Sequence, residues 1–452
     1  MDQTPTQCST NAADKAKTND MITPAVSYGI GDCNVDTDLG AVEKQKTVDG
    51  IAHFHRLGWK RLTVVLIVEA IALGSLGLPA AFATLGMIPS VIINIATGLF
   101  AIHASLTLGQ VKLKYLEVAH YADVGRLVLG KFGHQLFSFM FVALFILLIG
   151  SHCLTGTIAL EIIAESNICS LLFGIVSAII LLILAIPPSF AEVAILGYID
   201  FISIILAIGI TIIATGIQQS PDSLAVSSWS PWPKENLTFS EAFIAVNNIV
   251  FAYAFATAQP SFMDEMHTPE DYSKSIWSLG IIQIIIYTLT GATIYAFVGQ
   301  DVKSPALLSA GPLISKVAFG IALPVIFISG SINTTVVCRY LHGLIYRNSV
   351  VRYINTRKGW ITWLALIFVV TLIAWVIAEA IPFFSELLSI SSSLFSSGFC
   401  FYIPPILWFA LLKDGKWYSK KNFWTAILNG IVFVFGIVVL ICGAYASING
   451  LY

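Results

Sequence analysis

Charge is what this sequence has least of. Only 11% of its 452 residues are Asp, Glu, Lys or Arg, while 57% are hydrophobic. Water-facing surfaces need far more, since soluble domains carry about 25% charged residues. A soluble globular fold is therefore excluded, and the mean hydropathy of +0.83 agrees. The alternating segments of about ten residues that mark a transmembrane barrel are missing as well. Residues 1–58 are polar and hold no apolar h-region, so no cleavable signal peptide is expected. The seven cysteines (Cys8, Cys33, Cys153, Cys169, Cys338, Cys400 and Cys442) are scattered. They lack metal-ligand spacing and read as small apolar residues, with no disulfide framework and no metal site. Neither a phosphate-cradling Gly-rich motif nor a His-Glu-x-x-His or nucleophile-elbow pattern occurs, which argues against an enzyme or direct ATP drive. A basic nucleic-acid patch is also missing.

What is present is a series of apolar stretches. About 20 helical residues cross the ~30 Å hydrocarbon core. Eleven segments qualify: 62–83, 88–109, 134–163, 168–187, 191–217, 241–262, 276–298, 312–345, 360–381, 384–411 and 423–446. The expected fold is an all-α polytopic membrane protein of about eleven transmembrane helices. A disordered N-terminal tail (1–58) precedes a transmembrane domain (59–452). Lys and Arg orient it. With the N-terminus cytoplasmic, all 24 of these residues face the cytoplasm except Lys234, Lys303 and Lys316, as the positive-inside rule requires. The odd number of spans then puts Tyr452 outside. The glycosylation sequon at Asn236 falls in the outside loop between segments five and six, whereas the one at Asn333 falls within a span.

Two segments carry interruptions at comparable depth. The first reads Gly74-Ser75-Leu76-Gly77-Leu78-Pro79, and the sixth reads Phe251-Ala252-Tyr253-Ala254 with Gln259-Pro260 beyond. Proline lacks a donor and clashes with the preceding turn. Irregular backbone at membrane depth is tolerated where it is buried or lines a cavity. Interrupted segments in corresponding positions of two halves point to a transporter's substrate site. Segments 1–5 and 6–10 form two five-span blocks (60–218 and 241–412), inverted relative to one another, with an extra helix at 420–448. The predicted substrate site comprises Gly74, Ser75, Leu76 and Gly77, whose amides would face a carboxylate. Opposite lie Phe251, Tyr253, Ala254 and Phe255, whose carbonyls and rings would face an ammonium and a side chain.

A charge at the centre of a membrane helix costs about 3 kcal/mol, so intramembrane acids are functional candidates. Glu69 lies just before the first interruption and Asp200 within segment five; with His152 they are the proton-coupling candidates. Ser331, Thr334 and Thr335 of segment eight are hydroxyls that could line an ion site or bind helices together. Glu379 and Glu386 flank an outer loop, where water solvates them.

These residues resemble a known family. The run from Glu69 to Pro79 followed by Leu85-Gly86 resembles the first helix of fungal members of the amino acid/auxin permease family. So do Tyr121-Ala122-Asp123-Val124-Gly125 with Gly130 and Gly133, and Phe251-Ala252-Tyr253 with Gln259-Pro260 and Glu265-Met266. The likeness covers about residues 60–450 and is closest to neutral amino acid permeases of the N-system type. It implies the inverted-repeat fold of the amino acid–polyamine–organocation superfamily and secondary transport of amino acids. Family members often have glycine near the sixth-helix break, where this chain has Ala254 and Ala256. The expected activity is proton-driven import of neutral, aromatic or large aliphatic amino acids across the plasma membrane. The expected driving force is a proton gradient with no cofactor, sodium staying open, and the partners are the amino acid and the lipid bilayer. The alternatives are transport across a vacuolar or other endomembrane, and an amino acid-sensing receptor with little flux.

Overall fold

The computed structural model describes residues 58–165, 168–188, 190–218, 229–347, 349–354 and 356–450. The N-terminal tail, apart from Gly58, and Tyr452 lie outside the described residues. Among the described residues there is no strand. Lipid offers the backbone no hydrogen-bond partners, so each apolar segment satisfies its own amides by coiling.

The helices are α1 (Trp59–Leu85), α2 (Met87–Lys114), α3 (Tyr121–Ala164), α4 (Ser170–Leu184) and α5 (Phe190–Gln218). The sixth segment is split into α6a (Phe239–Ala252) and α6b (Gln259–Asp264). Then come α7 (Tyr272–Val298), α8 (Pro312–Ile345), α9 (Arg357–Ala380), α10 (Phe384–Leu412, partly π-helical) and α11 (Phe423–Asn449). Eight of them are long and apolar enough to cross a membrane, and the two arms of α1 together make a ninth. The apolar helices α4 and α6a, of 15 and 14 residues, fall short of that length by themselves.

Packing sorts the helices into two groups. In one, α3, α4, α8 and α9 all touch one another; in the other, α1 packs on α2, α6a and α7, and α2 on α7 and α6b. Helix α5 lies against both α1 and α8, and α11 covers α6a.

The third segment departs from expectation. Its helix starts at Tyr121, not near 134, and turns at Gly130, where φ is +63°. That conformation suits a residue without a Cβ. Next to it the backbones at Gly125 and Gly133 approach so closely that a Cβ on either would strike the other's carbonyl.

The first segment requires a correction. No interruption occurs at Gly74–Pro79: α1 is helical throughout, with Pro79 inside it. The helix bends instead by 49° between the arms Trp59–Val68 and Leu73–Leu85. Two carbonyls at this bend are engaged by side chains of other helices. Val68 O accepts from Ser329 Oγ at 3.0 Å, and Ala70 O accepts from the Tyr287 hydroxyl at 2.6 Å. Side chains bonding into the helical ladder are a recognised cause of kinks.

The sixth segment breaks as its sequence suggests. Helix α6a starts from a capping box in which Thr238 and Glu241 satisfy each other's backbone N–H. It ends at Ala252, Tyr253 leaves helical geometry, and Ala254–Ala256 form one tight turn. Pro260 lies in the first turn of α6b, where its missing N–H has no intrahelical partner to lose.

Candidate substrate and coupling site

The bend of α1 and the break of α6 meet. Gly74 of α1 sits against Ala252, and a Cβ at Gly74 would lie 2.8 Å from the Tyr287 hydroxyl and 3.0 Å from the Ala252 Cα. Glycine is what allows the two helices to approach this closely. Tyr287 of α7 joins them, with its hydroxyl 2.6 Å from Ala70 O and 3.1 Å from Ala252 O. Tyr253 stacks edge-on against Tyr287 at 5.3 Å and donates to Asn94 Oδ1 at 3.1 Å. Asn94 in turn donates to Thr288 Oγ1 at 2.9 Å. Both tyrosines are fully buried.

Beside this crossing lies a cavity of about 30 Å³, enclosed by α1, α3, α6 and α8. Leu73, Leu148, Phe251 and Phe255 form its apolar wall, with Ala70, Ala252 and Ala254 nearby. Its polar lining is His152 and Asn333, and among the described residues, which leave out the Glu69 side chain, no charged side chain borders it. Asn333 Oδ1 is buried and has no hydrogen-bond partner among the described residues. Such a volume holds about one water molecule. An amino acid can enter only after the helices part.

Of the sequence-predicted substrate residues, Phe251, Ala254 and Phe255 line this cavity. Tyr253 stands behind it in the Asn94 network. Gly74 forms the helix crossing, Ser75 donates to Ile71 O at 2.6 Å, Leu76 is buried, and Gly77 faces Leu388 of α10. His152 borders the cavity. The Glu69 side chain lies outside the described residues. Ser331, Thr334 and Thr335 donate to carbonyls of their own helix, Ile328 O, Gly330 O and Ser331 O, at 2.7–3.0 Å. Asn236 is exposed in the loop before α6a.

Asp200 of α5 is fully buried and pairs with α8, its Oδ2 lying 3.4 Å from Ser329 Oγ. The same Ser329 hydroxyl is 3.0 Å from Val68 O at the α1 bend. A hydroxyl owns one proton and donates it once. If Asp200 is ionised it accepts that proton from Ser329; if Asp200 is protonated it can donate to Ser329, which then donates to Val68 O. The Ser329 hydroxyl of α8 thus lies within hydrogen-bond reach of both Asp200 on α5 and the bend of α1.

A further cluster, of which only Gln259 and Glu265 stood out in the sequence, fixes α6b at the Lys/Arg-rich end of the bundle. Asp264 pairs with Lys112 of α2 at 2.7 Å, and the buried Glu265 pairs with Arg339 of α8. Gln259 exchanges hydrogen bonds with Ser105, and Ser261 bonds to His120 at 2.9 Å. Burial pushes the His120 imidazole down to about 4; Asp123 and Asp264 oppose that shift, and Arg339 and Arg352 add to it. The sequence signal was the acidic pair Asp264-Glu265 closing an apolar segment, with Arg339 inside another.

A helical membrane bundle with one span broken and another bent around a central cavity is an arrangement used by membrane transporters. The chain belongs to the family described as transmembrane amino acid transporter protein, which it matches over residues 55–449. It is 62% identical to the N amino acid transport system protein of Neurospora crassa over 416 residues, 91% of this chain and 88% of that one. A transmembrane transporter of Gibberella moniliformis is 28% identical over 426 residues, 92% of this chain and 87% of its own length. Among solved structures, a nucleobase-cation-symport-1 family transporter, in a closed conformation with bromovinylhydantoin bound, shares the fold. It aligns with a TM-score of 0.54 at 13% identity, over 88% of this chain and 91% of that one. The protein is an integral membrane amino acid transporter, not an enzyme.

Proposed function

We propose that this transporter imports neutral amino acids with large aliphatic or aromatic side chains, by proton symport, across the plasma membrane. The observation that carries the reading is the central cavity, bordered by the α6 break and the α1 bend and lined, among the described residues, by no charged side chain. A cationic or anionic substrate side chain would be desolvated there without a counter-charge. Leu73, Leu148, Phe251 and Phe255 supply the apolar wall for the substrate side chain. The ammonium bonds to Asn333 Oδ1 and to carbonyls of the 252–255 break, and the carboxylate meets amides of Gly74–Gly77 as α1 opens at its bend.

Asp200 carries the coupling proton, with Ser329 as relay to Val68 O; Glu69 and His152 are the further candidates. The eleven segments act as spans, in two inverted blocks of five plus α11, with the N-terminus cytoplasmic. Support comes from the packing, in which four of the five helices of the first block share their group with their counterparts: α1 with α6, α2 with α7, α3 with α8, α4 with α9. The 62% identical relative, an N amino acid transport system protein by name, supports the substrate class.

Uptake of labelled leucine in cells lacking their own permeases tests both parts. Phenylalanine and other large neutral amino acids should compete, and lysine and glutamate should not. Uptake should rise as external pH falls from about 7 to about 4.5, and replacing sodium by choline should change nothing. Asp200→Asn should abolish the acid stimulation. Equal competition by lysine would overturn the substrate assignment, and undiminished acid stimulation in Asp200→Asn would overturn the coupling role.

A further inference from the structure

At the Lys/Arg-rich end of the bundle, away from the crossing of α1 and α6, lies a second cavity, of about 150 Å³. The α2–α3 connection and the first turns of α3 form one side of it; the end of α8 and the short turn Val350–Tyr353 form the other. Three arginines converge on it from separate elements: Arg126 from α3, Arg347 just beyond α8 and Arg352 from the turn. Arg347 and Arg352 are exposed, and neither side chain has an ion pair or a hydrogen bond among the described residues. Like charges gathered around one cavity repel one another, and a ligand of opposite sign removes that cost.

The other polar groups of the lining are committed in ways that leave room for an anion. Asp123 spends Oδ2 on the amides of Ala119 and His120, at 3.3 and 3.1 Å, and its Oδ1 lies 3.6 Å from Arg126. His134 donates from Nδ1 to Ala122 O at 3.1 Å, which leaves Nε2 to accept from Arg126 at 3.3 Å. Arg126 is thereby held in place with N–H groups to spare, since a guanidinium has five. His120 bonds through Nδ1 to Ser261 of α6b at 2.9 Å, and its Nε2 has no partner among the described residues. When Ser261 donates, the neutral ring carries its proton on Nε2 and can donate in turn. Glu117, the second carboxylate of the lining, is exposed to water.

Guanidinium forks match carboxylate and phosphate oxygens alike. A phosphate monoester offers three terminal oxygens and a charge of about −1.5 to −2, where a carboxylate or a phosphodiester offers two oxygens and a single charge. Three arginines therefore favour the monoester. Leu127 and Leu344 also line the cavity, and Leu344 is exposed on the apolar surface of the bundle, so a head group can enter with its chains left in lipid. Basic pockets between membrane helices hold phosphorylated head groups in this way. We propose that this cavity binds a phosphate monoester, carried by a phosphoinositide head group or by a soluble phosphorylated compound. His120 sets the ligand one side chain away from Ser261 and the broken span. Which side of the membrane the cavity faces rests on the orientation proposed above; binding in detergent does not.

The test uses the full-length protein in detergent with a fluorescent short-chain phosphatidylinositol 4-phosphate. Binding should saturate, and phosphatidylinositol of the same chain length, a diester only, should compete about tenfold more weakly or worse. Arg347→Gln with Arg352→Gln should weaken binding about tenfold or more. Arg357→Gln with Lys358→Gln removes the same formal charge a few residues away, outside the cavity, and should change binding less than about twofold. Inositol 1,4-bisphosphate separates the two sources. Competition equal to that of the lipid assigns the site to soluble phosphates, and much weaker competition assigns it to the lipid head group. Because competition is read on the unaltered protein, the outcome does not depend on either variant folding. No transport is measured, so the result stands apart from the substrate and coupling assignments. Equal competition by phosphatidylinositol, an equal loss in the two double variants, or no saturable binding of the lipid and no binding of inositol 1,4-bisphosphate would overturn the proposal.

Discussion

Tyr287→Phe tests the junction of α1 and α6 directly. The ring of Tyr287 is fully buried and phenylalanine fills the same space, so the substitution opens no sizeable cavity. What disappears is one hydroxyl, 2.6 Å from Ala70 O and 3.1 Å from Ala252 O, whose single proton is shared between carbonyls of two helices. Leaving a buried acceptor unsatisfied costs about 1–3 kcal/mol. The neighbouring cavity holds about one water that can offset part of this, which places the expected loss near 2 kcal/mol. That corresponds to about a 30-fold shift in the equilibrium between the closed arrangement and any state in which α1 and α6 part.

Thermal unfolding of the purified protein should fall by about 2–4 °C, and the KM for labelled leucine should change with it. Gly74→Ala provides the cross-check, since its Cβ would lie 2.8 Å from the same hydroxyl and 3.0 Å from Ala252 Cα. Overpacking of this kind costs about 1–3 kcal/mol. Removing the hydroxyl relieves one of the contacts, so the double variant should be milder than the sum of the singles by about 1 kcal/mol. An unchanged melting temperature for Tyr287→Phe, together with strict additivity with Gly74→Ala, would refute the claim that this hydroxyl joins the two helices.

Glu265→Gln should destabilise the protein by about 2–4 kcal/mol in thermal or denaturant unfolding, because Glu265 is buried and Arg339 loses its carboxylate. Glu265→Gln combined with Arg339→Gln should be milder than either change alone. His120 titrates at about 4 when folded, against an ordinary value near 6.5, because burial disfavours its charged form. Its contribution is therefore present above about pH 6.5 and is lost as pH falls towards about 4. Melting temperature followed across that window should drop less steeply in His120→Gln, and an identical slope would count against the assignment. Enzymatic deglycosylation should shift the gel mobility of protein from fungal cells, and Asn236→Gln should remove that shift, whereas Asn333→Gln should leave it intact.

Much of this protein was legible in its sequence for simple reasons. Scarce charge and long apolar runs leave a chain only the membrane, and each of the eleven apolar segments falls on helix. Pro260 and the helix-poor run before it marked the α6 break, because a proline's missing donor acts locally whatever surrounds it. Phe251, Ala254 and Phe255 could be picked out for the same reason, since residues at a break face whatever space the break opens. The Asp264–Lys112 and Glu265–Arg339 pairs could not, because their partners are far apart in the chain and several lay within or beside apolar segments.

The first helix separates what the chain alone determined from what the tertiary structure decided. Gly74, Gly77 and Pro79 predict a break between 74 and 79, yet α1 is helical there and bends near residues 69–72. Local propensity sets the cost of a proline or a glycine in a helix. Where the ladder gives way depends on which carbonyls are drawn off by other side chains. Here those are Val68 O and Ala70 O, held by Ser329 and Tyr287 from more than 200 positions away. Gly74 marked a real requirement, which proved to be close approach to Ala252, and only the folded chain brings that neighbour to it.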